Sequence, residues 1–166
     1  AFEKVGHAAP QARLLLAGRA DASMDAWLNR ALSNHPFKDR IDVVANPSDD
    51  RKYALLDGSD IFCVPSRFEG WCIAAIEAQS RSLPVVATRT DGLMDSVSDG
   101  RTGILVSNEE TLAVGELSQA LLGLVNDQTR RRELGRQGIE WANRFTWEAA
   151  AAATDAFLEE IRLAQA

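Results

Sequence analysis

The chain has 166 residues, of which 46% are hydrophobic, and its formal net charge is -6. This length and composition suit one folded domain with a sizeable core, and they exclude a disordered chain. The negative charge argues against a nucleic-acid-binding surface, because phosphate backbones are bound by clustered lysines and arginines.

Cysteines and long apolar runs are scarce. Cys63 falls in a segment predicted to be a buried strand and Cys72 in one predicted to be a buried helix, so we expect no disulfide scaffold and a reducing compartment. No apolar run approaches the roughly 20 residues that a transmembrane helix needs, and the first residues show no signal-peptide pattern. These features predict a cytoplasmic protein.

Strand-like and helix-like segments alternate along the chain. Residues 1–8 read as the end of a helix, which Pro10 closes. Alternation of this kind indicates a parallel sheet with helices on both faces, since a parallel crossover usually contains a helix. The predicted strands cover residues 12–17, 40–44, 60–66, 83–87 and 103–106. The predicted helices begin after Ser23, after Ser48, and at Trp71, Leu93, Thr111, Thr129 and Trp147.

Two polar turns lie where predicted strands end and helices begin. Residues 67–70 precede the helix that starts at Trp71, and residues 88–92 precede the next short helix. Ligands of parallel α/β sheets bind at the carboxyl ends of the strands, and free amides at a helix start can hold an anion. We therefore predict the ligand site at these turns, with Arg67 and Arg89 as candidate phosphate contacts.

Other kinds of site are not predicted. His7 and His35 have no cysteine or acid at ligand spacing, so no metal site is expected, and no serine stands in a glycine-flanked elbow. Trp71 is interpreted as a packing residue rather than a platform for a nucleobase. Taken without their context, Glu69 is an ordinary acid near a helix N-terminus and Glu77 an exposed helix residue.

Three consecutive motifs carry a family resemblance. They are EGWCIAAIEA from Glu69, LPVVAT from Leu83 and DGRTGILV from Asp99. In this order they resemble the donor-binding domain of the retaining GT-B glycosyltransferases, the large glycosyl transferases group 1 family, whose signature is two glutamates separated by seven residues. The resemblance extends over nearly the whole chain, residues 1–166, and implies a Rossmann-like domain that forms the C-terminal half of a GT-B fold.

The resemblance assigns roles to the two glutamates. It implies that Glu69 approaches the transferred sugar and acts in catalysis, whereas Glu77 hydrogen-bonds the ribose of the nucleotide. Backbone amides at the helix start would cradle the diphosphate. Eight helical steps between the glutamates would span about 12 Å, which is comparable to a diphosphate with part of a sugar at each end. The expected donor-binding residues are Gly70, Trp71, Cys72, Ile73 and Glu77, with Arg67 and Gly92 as additional candidates.

Several positions depart from the family pattern. Cys72 and Ser82 stand where the family usually has glycine, so we expect a tighter phosphate turn. In the second turn, Asp91 replaces one of two paired glycines and Asp95 replaces a glutamate. We expect Asp95 to point away from the diphosphate, because an acid beside it would be unfavourable.

The family implies a hexosyltransferase-type enzyme. Such an enzyme binds a nucleotide-diphosphate sugar and transfers the sugar to an acceptor hydroxyl, typically without a bound metal, and the resemblance implies no resident cofactor. Two other interpretations stay open, namely a nucleotide-binding module without transfer activity and a nucleotide-sugar epimerase. The acceptor, whether a sugar, a lipid or a small molecule, is not identified. Its binding, and any peripheral membrane contact, is expected from an N-terminal domain that is absent from this sequence.

The family pattern also predicts a strand that this sequence lacks. The chain begins within a helix that in the family follows a strand bearing an arginine and, soon after it, a lysine, and both cations contact the diphosphate. That strand lies near the middle of the sheet. The five strands seen here must therefore either pair across the vacancy or receive a strand from another segment. We expect residues 1–166 alone not to transfer sugar.

Overall fold

The computed structural model describes residues 1–164 and shows an α/β chain in which every strand pairing is parallel. The alternation of strands and helices predicted from the sequence is confirmed. The strands are β1 (Leu14–Gly18), β2 (Ile41–Ala45), β3 (Phe62–Val64), β4 (Val85–Thr88) and β5 (Gly103–Val106). The helices are α1 (Phe2–Ala8), α2 (Ala22–Ser33), α3 (Asp49–Asp57), α4 (Ile73–Ser80), α5 (Asp91–Ser96), α6 (Glu110–Asn126), α7 (Gln128–Ala142) and α8 (Trp147–Ala164), with a 3-10 turn at Lys38–Arg40.

The strands form two separate parallel sheets. β1 pairs with β2, and β3, β4 and β5 pair in that order. Within residues 1–164, no hydrogen-bonded ladder joins the two sheets. Of the two arrangements expected from the sequence, direct pairing across the vacancy is therefore not the one adopted.

The three-stranded sheet is covered on both faces, because successive residues of a strand point to opposite sides. Val85 and Ala87 of β4 pack in one cluster with Ala75 of α4 and Leu93 of α5. Val86 lies between them and packs in a second cluster, on the other face. Its buried partners there are Val106, Leu117, Leu124 and Leu134, from β5, α6 and α7. The predicted parallel sheet with helices on both faces is confirmed, and the main core lies here.

The two-stranded sheet is less buried than its sequence predicts. The three leucines of β1 are only partly buried, and the last two residues of this strand are exposed. Val43 of β2 is 41% exposed. The expectation that the strand predicted at residues 12–17 is buried is therefore wrong. The physical reason is that no third strand joins this pair in residues 1–164 and that α2, beside it in sequence, buries none of its residues.

Polar caps set several helix boundaries. Asp21, rather than Ser23, caps α2, because its carboxylate accepts hydrogen bonds from the amides of Ser23 and Met24. Ser48 caps α3, as predicted. The Thr146 hydroxyl accepts an amide hydrogen bond from Ala149 at the start of α8.

The last helix, α8, stands apart from the core. None of its described residues is buried, and Phe157 and Leu163 are 60% and 66% exposed. Its alanine-rich segment, residues 149–153, is likewise exposed and packs on no other part of the described core. None of the helices in residues 1–164 combines the length and apolar character that crossing a membrane requires.

Left-handed backbone occurs at two residues that flank α4. Cys72, the N-cap of α4, has a φ of 61°, and Ser82, just past the helix, has a φ of 62°. This conformation is strained for residues with a Cβ atom and unstrained for glycine. Cys72 and Ser82 are the two positions at which the family pattern has glycine. The chain therefore keeps the backbone geometry of a glycine while carrying a side chain.

Replacing Ser82 by glycine should stabilise the fold. Relief of left-handed strain outweighs the greater backbone entropy of glycine in the unfolded chain, so we expect the free energy of unfolding to rise by about 0.5–1 kcal/mol. Urea denaturation measures this change. Ser80→Gly is the matched control, because Ser80 lies within α4 and glycine there should lower the stability. A lower urea midpoint for Ser82→Gly than for the wild type would contradict the inferred backbone strain at Ser82.

Candidate functional site

The β3–α4 turn, residues 65–72, is held by residues at the ends of the two neighbouring strands. The Thr88 hydroxyl, at the end of β4, donates a hydrogen bond to the carbonyl of Ser66. Asn108, just after β5, donates its side-chain amide to the carbonyl of Arg67 over 3.1 Å. The turn therefore lies at the carboxyl end of the three-stranded sheet, where parallel α/β folds bind ligands.

The two turns singled out in the sequence touch at Gly92. A Cβ atom built on Gly92 would lie 2.5 Å from the carbonyl oxygen of Glu69, and closer still to the carbonyl of Gly70. These contacts are backbone atoms that cannot rotate away, so only glycine fits without displacing the chain. The start of α5 thus packs directly on the turn that carries Glu69.

Helix α4 begins at Ile73, two residues later than the sequence predicts. Its N-cap Cys72 makes no side-chain capping hydrogen bond. The Ala75 amide donates to the Cys72 carbonyl over 3.0 Å, which leaves the amides of Ile73 and Ala74 available to an anion. Because residues 69–72 are not helical, the expected eight helical steps between Glu69 and Glu77 are wrong. Glu77 is instead the fifth residue of α4, in its second turn.

Cys72 is buried close to Glu69. Burial raises the pKa of the Cys72 thiol, and the Glu69 carboxylate raises it further. A thiol that stays protonated is a poor nucleophile at neutral pH. The side chain is 8% exposed and packs with Ala75 and Val85. The side chain of Cys72 therefore contributes packing. Only its backbone amide is expected to take part in ligand binding at this turn.

Trp71 is part of an aromatic chain. Its ring centroid lies 4.9 Å from that of Phe145, in an edge-to-face arrangement. Phe145 in turn contacts Trp141, whose indole N–H donates to the carbonyl of Ser96 at the end of α5. These contacts tie the β3–α4 turn to the end of α7 and support the interpretation of Trp71 as a packing residue.

Glu77 is held by two side chains of α3. Lys52 Nζ lies 2.7 Å from Glu77 Oε1, and the Tyr53 hydroxyl donates to the same oxygen over 3.3 Å. The side chains of Glu77 and Lys52 are 21% and 33% exposed. The hydrogen bond with Glu77 is the main cause that raises the pKa of Lys52, and Asp49 adds to it. Glu77 is therefore a partly buried carboxylate in an ion pair, not an exposed helix residue.

Both arginines considered as phosphate contacts are already paired with acids. Arg67 Nη2 lies 2.6 Å from Glu110 Oε2 at the start of α6. Arg89 Nη2 lies 2.6 Å from Asp99 Oδ2, and Asp99 also accepts the amide hydrogen of Leu105. Burial opposes ionisation of Asp99, but these two partners hold its pKa below the usual value. Each acid offsets the charge of its guanidinium but engages only Nη2, so the other N–H groups of the arginine do not face that acid.

Three residues near the turns carried no signal that singled them out in the sequence. Lys52 and Tyr53 lie about two dozen residues before Glu77, and no local pattern reveals that they meet it. Thr90 lies in the second turn, and its hydroxyl is buried without a hydrogen-bond partner in residues 1–164.

The acids of this region form no obvious ligand cluster. Asp95, in α5, is exposed. Within the same described residues, no three His, Cys, Asp or Glu side chains are grouped so that they could hold a metal ion.

Adding a methyl group at Gly92 should disturb the site. Gly92→Ala forces the methyl group into the backbone of Glu69 and Gly70, so we expect a loss of about 1–3 kcal/mol in the free energy of unfolding. Gly70→Ala is the matched control, because a Cβ atom there meets no atom within 4 Å. Urea denaturation of both variants checks this expectation, and equal stability losses would contradict the close approach at Gly92.

Known proteins share both the sequence pattern and the fold. The family described as Glycosyl transferases group 1 matches residues 1–141. D-inositol 3-phosphate glycosyltransferase 2 of Catenulispora acidiphila is 43% identical over 96 residues, which make up 58% of this chain and 22% of that protein. Sucrose-phosphate synthase from Thermosynechococcus elongatus superposes with a TM-score of 0.82 at 26% identity, over 98% of this chain and 42% of that one.

A third protein extends the comparison of folds. Anabaena HepE, solved in complex with UDP-glucose, superposes with a TM-score of 0.74 at 19% identity, over 86% of this chain and 39% of that one. The chain thus spans less than half the length of each of these proteins. The family match covers most of residues 1–166, and the folds agree with those of GT-B glycosyltransferases. The chain belongs to the glycosyl transferases group 1 family.

Proposed function

We propose that this chain is the donor-binding part of a retaining glycosyltransferase, which takes a sugar from a nucleotide diphosphate and transfers it to an acceptor hydroxyl. The observation that carries the proposal is the uncapped start of α4, which has Glu69 just before it and the partly buried Glu77 one turn further on. Anions bind at helix starts of this kind, and carboxylates suit sugar hydroxyls. The HepE structure, which contains UDP-glucose, and the glycosyltransferase name of the Catenulispora relative support this choice.

In this proposal the diphosphate lies on backbone amides. The amides of Trp71, Cys72 and Ile73 receive it, and Gly70 leaves room beside them, since a Cβ atom there would meet open space. Glu77 accepts hydrogen bonds from the ribose, and Glu69 approaches the transferred sugar. The nucleotide sugar enters as a substrate, and no resident cofactor or metal is part of the proposal.

The reaction breaks the bond between the anomeric carbon and the leaving diphosphate as the oxygen of an acceptor hydroxyl bonds to that carbon, and the hydroxyl proton passes to the departing diphosphate. Positive charge develops on the sugar ring and negative charge on the diphosphate. Preorganised amides at the start of α4 stabilise the departing diphosphate, because they need no reorientation as the charge builds up. Glu69, held by the contact between Gly92 and the turn, orients the sugar for attack.

Further cations should come from outside this chain. Arg67 and Arg89 are neutralised by Glu110 and Asp99, which supports a site that is short of positive charge. Among the residues that the structure describes, β1 and β3 each keep an unpaired edge, which leaves room for a parallel strand bearing an arginine and a lysine to join the two sheets. We therefore expect transfer activity only in a full-length protein that also supplies an acceptor domain.

Removing the Glu77 carboxylate should weaken nucleotide binding. Loss of a charged hydrogen bond to the ribose should cost Glu77→Ala about 1.5–3 kcal/mol, or roughly 10- to 150-fold in affinity for a nucleoside diphosphate. Calorimetric titration of the full-length protein with UDP, GDP and ADP measures this loss. Glu140→Ala removes an exposed acid of α7 and serves as the control. Equal affinities of wild type and Glu77→Ala would remove Glu77 from the site.

Removing the Glu69 carboxylate should act mainly on the chemical step. We expect Glu69→Ala to lower kcat by about 100-fold while nucleotide affinity changes little, because Glu69 contacts the sugar and not the nucleotide. Release of nucleoside diphosphate from a panel of nucleotide sugars and acceptors gives kcat. Unchanged turnover in Glu69→Ala would contradict this role.

The same assays on the wild type separate the alternative functions. Binding of a nucleotide sugar without transfer would favour a binding module, and interconversion of the free nucleotide sugar would favour an epimerase.

A further inference from the structure

A brace of five residues joins α3 to α4. It consists of Lys52, Tyr53 and Asp57 on α3, with Glu77 on α4 and Arg81 just after it. Lys52 reaches across to Glu77, and both carboxylate oxygens of Asp57 accept hydrogen bonds from Arg81 at 2.9 Å. The Tyr53 ring contacts both cations, with Lys52 Nζ 4.7 Å and Arg81 Cζ 4.8 Å from its centroid. The brace thus has two ionic arms that share one aromatic ring.

Only one of the two arms involves a residue of the proposed donor site. The Lys52 arm ends on Glu77, whereas the Arg81 arm ends on Asp57, which lies on α3. If the brace only stabilised the fold, breaking either arm would have the same effect on ligand binding. The Arg81 arm is therefore an internal control for the Lys52 arm.

The two oxygens of the Glu77 carboxylate differ in their contacts: one already accepts hydrogen bonds from α3, and the other can accept one from a ligand. Oε1 accepts the hydrogen bonds of both Lys52 and Tyr53, at 2.7 and 3.3 Å. Oε2 receives no hydrogen bond from residues 1–164. A carboxylate has about four acceptor sites on its two oxygens. Glu77 can therefore accept a hydroxyl donor at Oε2 while it keeps its bonds to α3.

Holding the carboxylate in this way favours ligand binding for two reasons. A free glutamate side chain loses rotamer freedom when it binds a ligand, and a side chain already fixed by two donors has lost it beforehand. Partial burial also disfavours an unpaired carboxylate, and the ammonium of Lys52 offsets this cost. The carboxylate is therefore held in one orientation before the ligand arrives.

We propose that Lys52, assisted by Tyr53, is a positioning residue for recognition of the nucleotide ribose. Lys52 holds Glu77 Oε1, so that Oε2 accepts a hydrogen bond from a ribose hydroxyl. The inference rests on the proposed function, because it requires Glu77 to bind the ribose. Lys52 acts only through Glu77 and does not contact the donor.

The test compares ligands with and without ribose hydroxyls. The full-length protein is titrated with whichever of UDP, GDP and ADP binds most tightly, and with the 2′,3′-dideoxy form of that nucleotide. We expect Lys52→Met to lower affinity for the ribonucleotide roughly fivefold, within the range of coupling between contacting residues. Affinity for the dideoxy form should not change. In transfer assays KM for the donor should rise while kcat is retained.

Two further variants separate positioning from stability. Arg81→Met removes the other arm of the brace and should leave the preference for the ribonucleotide unchanged. Tyr53→Phe removes only the weaker hydrogen bond to Glu77 and should reduce that preference less than Lys52→Met does. If Lys52→Met fails to fold, Tyr53→Phe carries the test by itself. Equal losses for both forms of the nucleotide, or the same loss of preference in Arg81→Met, would overturn the positioning role.

Glu77→Ala distinguishes failure of this inference from failure of the proposed function. If Glu77→Ala lowers the preference for ribose hydroxyls and neither Lys52→Met nor Tyr53→Phe does, the positioning role is wrong and the donor site stands. If Glu77→Ala leaves the preference unchanged, the ribose contact is wrong and the inference falls with it. If the wild type binds none of the three diphosphates, both are overturned.

Discussion

Direct contact between backbone segments at glycines is the constraint on which the arrangement of this chain depends. Gly92 rests on the carbonyl of Gly70, Gly103 lies against the carbonyl of Val85, and Gly135 lies against the carbonyl of Ser82. Each contact leaves no room for a Cβ atom, so α5, β5 and α7 approach closer than side chains would allow. The three contacts surround the unit formed by α4 and β4. In this frame the contact at Gly92 lies beside the start of α4, whereas those at Gly103 and Gly135 lie at the start of β4 and just after the end of α4.

The charges around this frame are largely compensated within the chain. The net charge is -6, and three cations of this region are each bonded to an acid: Arg67 to Glu110, Arg89 to Asp99, and Lys52 to Glu77. Backbone dipoles are the positive groups that stay available at the start of α4. A dianionic ligand would therefore be bound by amides first, with side-chain cations as a separate requirement.

The fold could be predicted because strong local signals agreed with one another. Continuous apolar strands such as residues 83–87, separated by turns and helical segments, indicate a parallel sheet covered on both sides, and Val85 and Val86 do pack on opposite faces. The cap at Asp21 was not predicted, because the apolar spacing that marks α2 begins only after Ser23.

Burial and side-chain pairing were harder to predict because they depend on distant residues. The leucines of β1 have the composition of a buried strand, yet their burial depends on a neighbouring strand that the described chain does not provide. The sequence pattern placed Glu77 on a helix and the family resemblance gave it a role. Its partners on α3 follow only from the tertiary packing.

The division of the strands into two sheets implies that the chain does not open as a single cooperative unit. Fully buried residues of β4, such as Val85 and Val86, exchange their amide hydrogens only when most of the structure unfolds, whereas the half-exposed ladder of β1 and β2 opens at lower free energy. α3 follows β2 and packs through Leu56 on Ala78 and Leu83, so it links the two regions. A ligand held by Glu77 would stabilise α3 through Lys52, and would thereby slow amide exchange in α3 as well.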